Sequence, residues 1–291
     1  MALSTHAKGY LITLSGVMIM TPDTLLIRLA AVDPFTLAAT RGLLGGIVVL
    51  GLSLLWYRGA VTAQFRGLGH WALGAALLQS LGLVMFVVAV EYTSVANVLI
   101  FFATTPLIAA VMAWGFLGER VAPVTWAAIA VVLAGIVVVA SGSLGSVHIF
   151  GDFLALLDAV ALAGFYVIIR RHKDVDLVPA MGLGLLFAVV LTLPFSDFSD
   201  IRPIQWLWIG LGGGIVVPFA LILLTLGPRY LAAPEVAMLA LLETVIGPFW
   251  VWLALGEEPG TRSLIGGAII VLALLIHAII RLRGIRRPVR A

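Results

Sequence analysis

The sequence predicts an all-α polytopic membrane protein: ten transmembrane helices in two inverted five-helix repeats. Three observations carry this. Of 291 residues, 62% are hydrophobic and only 11% are charged, against about a quarter charged in a soluble domain. Apolar runs of about 20 residues, the length a helix needs to cross hydrocarbon, recur from end to end. Displaced by 138 residues, the chain also matches itself: Tyr92 falls on Tyr230, Trp114 on Trp252, and LGE at 117–119 on LGE at 255–257.

The elements follow in order. The first span, 9–30, comes after a short polar start and has no small-residue cleavage site behind a short apolar core, so it reads as a span and not as a cleavable signal. AAVDP (30–34) turns the chain into the second, 35–56. YRGAVTAQFRGLG (57–69) leads to 69–90, followed by 95–116. GERVAP (118–123) opens 123–141, and the sixth span covers 151–170. RRHKDVD (170–176) precedes 178–195, SDFSDIRP (196–203) precedes 204–226, and the ninth span is 232–254. GEEPG (256–260) separates it from the tenth, 262–280. No connection is long enough to form a domain.

With the N-terminus inside, Lys8, Arg58, Arg66, Arg120, Arg170, Arg171, Lys173, Arg229, Arg281, Arg283, Arg286, Arg287 and Arg290 fall on the cytoplasmic side. Only Arg28, Arg202 and Arg262 fall opposite. This positive-inside bias puts both termini in the cytoplasm. The sequence pI near 9.6 is therefore a topology signal and not a nucleic-acid footprint. The repeat has a second register at the front of each half, where a shift of 142 puts Gly9 on Gly151 and Arg28 on Arg170. Residues 1–144 and 145–291 form the two halves, the latter ending in a basic tail. Five spans is an odd number, so the second half enters from the opposite side. Inverted repeats place a substrate site near the midplane between them and alternate its access by rocking.

There is no cysteine, so no disulfide or thiolate chemistry, and the histidines lack zinc-site spacing. No cofactor or metal is expected. The layout, with LGERVAPVTWAAIAVVLAG at 117–135 and LGEEPGTRSLIGGAIIVLA at 255–273, resembles the drug/metabolite transporter superfamily, EamA type. Within it the chain looks most like bacterial aromatic amino acid exporters. The resemblance covers nearly the whole chain and implies an inner-membrane efflux carrier with a central cavity.

Charged groups in mid-bilayer cost about 3 kcal/mol and should face a cavity or a partner. Glu243, in ALLETVIGPFW, is the leading candidate: it lies mid-span near Pro248, and its repeat equivalent Thr105 lies beside Pro106. Paired interruptions of corresponding spans point to a binding site. Arg41 could hold a substrate carboxylate by a forked contact or snorkel outward. Asp23, after Pro22, could gate the cavity or pair with Arg28. Asp158 could be a cavity acid or a helix-pairing group, and Gln79 and Ser80 could bond helices or touch substrate. Phe102, Tyr166 and Trp250 could stack on an aromatic solute. Pro218, after a glycine run, is a hinge candidate alongside Pro22, Pro106 and Pro248. Glu119 and Glu257 read as local caps with Arg120 and Arg262 nearby.

Together these residues fit an exporter of aromatic and other hydrophobic amino acids, working by alternating access in the lipid bilayer. A multidrug exporter of lipophilic cations is the alternative. A proton exchanged on a buried acid is one coupling mode open to it. An intramembrane aspartyl protease is disfavoured because no G-x-G-D motif surrounds Asp158, and the repeat and the kinked polar centres favour a carrier over a channel or scaffold. The oligomeric state is not legible.

Overall fold

The computed structural model describes residues 4–57, 69–93, 98, 101–141, 149–256 and 260–284. These are helical, with no strand among the described residues. The spans are α1 Thr5–Ala30, α2 Pro34–Tyr57, α3 Gly69–Tyr92, α4 Thr105–Leu117, α5 Pro123–Ala140, α6 Ile149–Arg171, α7 Val178–Phe195, α8 Pro203–Arg229, α9 Ala233–Leu255 and α10 Thr261–Gly284. Eight are long and apolar enough to cross a membrane, and α4 and α5 are shorter apolar helices among the described residues. The expected boundary between halves at 144, Glu257 and the tail arginines 286, 287 and 290 lie outside the described residues.

Large apolar side chains such as Trp56, Phe116, Ile149 and Leu253 point outward. In water that would be a failed fold; in a bilayer it is the solvent-matched face. The interior is built from small residues, because association in lipid relies on close packing instead of a water-driven hydrophobic effect. Ala75, Ala109, Ala163, Ala180 and Ala220 are wholly buried.

The packing shows the repeat. The broadest contacts pair α1 with α8 and α3 with α6, α2 with α7, α5 with α10, α3 with α7 and α2 with α8, followed by α1 with α9 and α4 with α6, and by α4 with α9. Exchange every helix with the one five positions on, and this set maps onto itself. The match holds at single residues. A Cβ on Gly9 would come within 2.8 Å of Tyr230 and Leu231; one on Gly151 would come equally close to Tyr92 and Thr93. Gly74 faces Ile168 where its counterpart Gly212 faces Leu26.

Several irregularities interrupt the spans, among them a π turn, Ala113–Leu117, at the end of α4. α1 breaks at Thr21–Pro22, the fourth span at 103–104 and α9 at Leu241; the last two are equivalent under the 138-residue shift. α8 carries a π turn, Gly212–Val216. Each proline deprives the carbonyl four residues earlier of its usual donor. At Pro22 and Pro106 the same repair is used. The preceding threonine turns its hydroxyl back, so that Thr21 Oγ1 donates to Met18 O at 2.9 Å and Thr105 Oγ1 to Phe102 O at 2.5 Å.

Close crossings make some glycines irreplaceable. A Cβ on Gly184 would sit 2.7 Å from Ala76 O, between α7 and α3, whereas one on Gly51 meets nothing within 4 Å. Gly184→Ala should lower stability by about 1–3 kcal/mol through overpacking, and Gly51→Ala should be neutral or better; thermal unfolding in detergent checks both.

Candidate functional site: a kinked ion-pair centre

The break in α1 positions the centre. Pro22 ends the first α1 segment, and Asp23 opens the second. From there Asp23 meets Arg41 of α2: Arg41 Nη2 donates to Asp23 Oδ2 at 2.5 Å, with the two side chains 16% and 6% exposed. The contact uses one carboxylate oxygen. The other, Asp23 Oδ1, is buried without a hydrogen-bond partner among the described residues.

The α8 π turn makes room for this pair. A Cβ on Gly213 would fall 2.8 Å from Arg41 Cα, and one on Gly212 would come 3.6 Å from Asp23 Oδ1. The run GLGGG thus lets α8 approach both charged groups with bare backbone. Such π turns are frequent at functional sites.

α9 closes the centre from the other side. Thr21 accepts a hydrogen bond from Trp250 Nε1 at 2.9 Å, and a Cβ on Gly247 would lie 2.7 Å from Thr24 Oγ1. Glu243, two residues past the α9 break, is within electrostatic reach of Asp23, Arg41 and Tyr166. One cation, on the uninterrupted α2, is therefore within reach of two acids, each of which follows a break in α1 or α9. Pro248 lies five residues on from Glu243, within α9.

The family match covers residues 7–141 and again 149–279, as the EamA-like transporter family. The chain belongs to the EamA-like transporter family. The two matched segments correspond to α1–α5 and to α6–α10. Among relatives, this transporter is 28% identical to the pseudopaline exporter CntI of Pseudomonas aeruginosa over 204 residues, which is 68% of this chain and 71% of that one. It is 27% identical to an uncharacterized transporter of Clostridium kluyveri over 58% of each. One crystal structure of a protein superposes with a TM-score of 0.80, covering 94% of this chain and 99% of that chain at 21% identity, a likeness of fold alone.

The sequence candidates fall into two groups. Asp23, Arg41, Pro22 and Trp250 gather at the α1 break, with Glu243 within electrostatic reach of the ion pair and buried Tyr166 within reach of Glu243. Asp158 instead lies in the α3–α6 seam, where a Cβ on Gly82 would be 3.0 Å from its Oδ1. Its counterpart Gly16 packs on Ala220 in the equivalent α1–α8 seam. Gln79 packs on Gly184 at the α3–α7 crossing. Ser80, read as a helix-bonding or substrate-touching group, is buried with its hydroxyl unpartnered among the described residues. Thr105 and Pro106 are buried in the fourth-span break, with Phe102 beside the main core cluster. Pro218 follows the π turn.

Two expected local pairs give way to longer-range ones. Asp23 pairs with Arg41 and not with Arg28, because the kink turns it toward α2. Glu119 accepts from Arg170 Nε of α6 at 2.8 Å instead of pairing with Arg120. The roles of Thr21 and Thr24 were not foreseen, although the Thr-Pro dipeptide was a visible signal for the first.

Removing one partner of a buried pair strands the other charge, at about 3–5 kcal/mol. Asp23→Asn alone should destabilise the protein by about that much, and adding Arg41→Gln should restore most of it. Thermal unfolding of the two single variants and the double variant in detergent measures the coupling.

Proposed function

We propose that this transporter exports small amino-acid-like zwitterions, with aromatic and other hydrophobic amino acids the leading class, across a bacterial inner membrane with both termini cytoplasmic. The observation that carries the reading is the single-oxygen Asp23–Arg41 pair beside Glu243. A zwitterion can exchange with such a pair. Its carboxylate takes the Arg41 guanidinium, which suits forked contacts. Its ammonium takes Asp23, whose Oδ1 already lacks a donor, together with Glu243. Charge stays balanced throughout, so the exchange avoids exposing an unpaired ion to a low-dielectric centre. Trp250 and Tyr166 supply aromatic surface for the side chain. The name of the Pseudomonas relative supports export as the direction and a small metabolite as cargo. The positive-inside bias supports the orientation.

Access alternates if the two halves rock about the centre. The breaks at Thr21–Pro22, 103–104 and Leu241 are the points where α1, the fourth span and α9 can bend without leaving backbone groups bare.

Proteoliposomes loaded with phenylalanine or tryptophan should show saturable counterflow of labelled substrate. Glu243→Gln should lower it about tenfold with normal folded yield, and Arg41→Lys should raise KM more than it lowers the maximal rate. Wild-type flux in Glu243→Gln would remove that residue from the site. Efflux of a lipophilic cation that survives in the Asp23→Asn/Arg41→Gln double variant would favour the multidrug reading instead.

A further inference from the structure

Where α10 ends, the α4–α5 connection, the start of α9 and the last turns of α10 enclose a small cleft. Ala113, Glu119, Arg120, Thr125, Glu235 and Arg281 are among the residues that line it, and none of its lining belongs to the kinked centre. The cavity measures about 30 Å³, room for one group the size of water or ammonium.

Its charges are incompletely matched. Glu235 is 1% exposed. Arg281 Nε donates to its Oε1 at 2.5 Å, while Oε2 is buried without a hydrogen-bond partner among the described residues. A buried acceptor left bare costs about 1–3 kcal/mol. Glu119 is already neutralised by Arg170, and Thr125 Oγ1 lies 3.0 Å from His277 Nε2. Arg120 is exposed and makes no ion pair among the described residues. The cleft thus offers a carboxylate inside and an unpaired cation at its rim.

The arrangement is confined to one side of the fold. Under the 138-residue shift Glu235 falls on Asn97, Arg281 on Ser143 and Arg120 on Glu258, so the equivalent positions are neutral or of opposite charge. The backbone differs too. α4 ends in its π turn, Ala113–Leu117, whereas the equivalent stretch of α9, 251–255, stays α-helical. Within that turn Ala113 lines the cleft, and Trp114 and Phe116 point outward, 66% and 72% exposed. On α10, Ile279 and Ile280 stand exposed just before Arg281. Lipid-facing apolar side chains therefore stand on both of these helices beside the cleft. A charge pattern that the other half does without is not a requirement of the architecture.

We propose that this cleft binds the headgroup of a phospholipid with a primary ammonium, such as phosphatidylethanolamine. The ammonium enters the cleft and donates to the Glu235 carboxylate. The phosphate stays at the rim on Arg120, and the acyl chains lie along Trp114, Phe116 and the exposed isoleucines of α10. Both polar contacts are charge-assisted. A free cytosolic zwitterion would meet the same charges without gaining from the apolar flanks, and those flanks assign the site to lipid. Bound there, the lipid ties the α4–α5 connection to α9 and α10 of the other half. The site goes beyond the substrate reading and does not depend on which solute is carried.

The test titrates the delipidated full chain in detergent with phosphatidylethanolamine, phosphatidylcholine or phosphatidylglycerol and counts bound lipid by native mass spectrometry. The ethanolamine lipid should bind about tenfold more tightly than the choline lipid, whose trimethylammonium has no N–H to donate, a ratio expected for one charge-assisted hydrogen bond. Arg120→Gln should weaken both by a similar factor, because both carry the phosphate. Glu235→Gln should abolish the preference. Should that variant fail to fold, Ala122→Leu, which fills the cleft from the α4–α5 connection, should abolish it as well. Equal affinities for the ethanolamine and choline lipids overturn the site, as does a preference that survives Glu235→Gln or Ala122→Leu. Tighter binding of phosphatidylglycerol, an anion without an ammonium, also overturns it. Soluble glycerophosphoethanolamine binding as tightly as the lipid would assign the cleft to a cytosolic solute and overturn the lipid. Because the assay measures no flux, its failure leaves the substrate reading standing, and absent counterflow leaves this site standing.

Discussion

Hydrocarbon offers no hydrogen bond to a peptide group, so every departure from regular helix in this protein has to be repaired from within. The repairs decide where the structure can be irregular. Thr21 and Thr105 cap the carbonyls that Pro22 and Pro106 abandon. Gln205 Nε2 donates to Ala30 O at 2.7 Å and so closes the end of α1, where Ala31 takes a left-handed turn. The π turn of α8 sits against Asp23 and Arg41. Breaks, bare backbone and charge are thus gathered in the same place for one reason: each needs protein and not lipid as its neighbour.

The same constraint orders the charges by location. The Glu119–Arg170 pair sits partly exposed and fastens the end of α6 to the α4–α5 connection. Tyr57 of α2 donates to Asp176 in the α6–α7 connection in the same manner, and Lys8 lies 4.9 Å over the Tyr230 ring. The Asp23–Arg41 pair is buried and incomplete. A fully satisfied pair would be a rivet; one with a spare carboxylate oxygen and a second acid in reach is suited to exchanging partners.

Much of the fold was legible because the signals are local or repeated. Apolar length marks spans, and charged or Gly/Pro-rich breaks mark their ends to within a few residues. The Tyr92–Tyr230 and Gly9–Gly151 matches proved to be two sides of the same contact, since each glycine packs beside the other half's tyrosine. Partners were less legible. Asp23 and Arg28 are neighbours along the chain, yet the kink at Pro22 sends Asp23 to the antiparallel helix. Asp158 looked like Glu243 in sequence, both being lone acids in apolar runs, but only Glu243 comes within reach of the Arg41 pair. Glu235 escaped notice because it stands at the start of a span, where an acid reads as a surface residue; here that start is buried and Arg281 of α10 reaches across to it.

The crossed pairing of helices bears on how the chain must be made. α1 has its broadest contacts with α8 and α9, and α3 and α4 have theirs with α6. The first five spans therefore leave the insertion machinery with their small-residue faces unmatched, and the kinked centre has no α8 or α9 to cover it. Assembly has to wait for late synthesis, and the two halves, although built alike, are not independent modules that could be stitched together after folding apart.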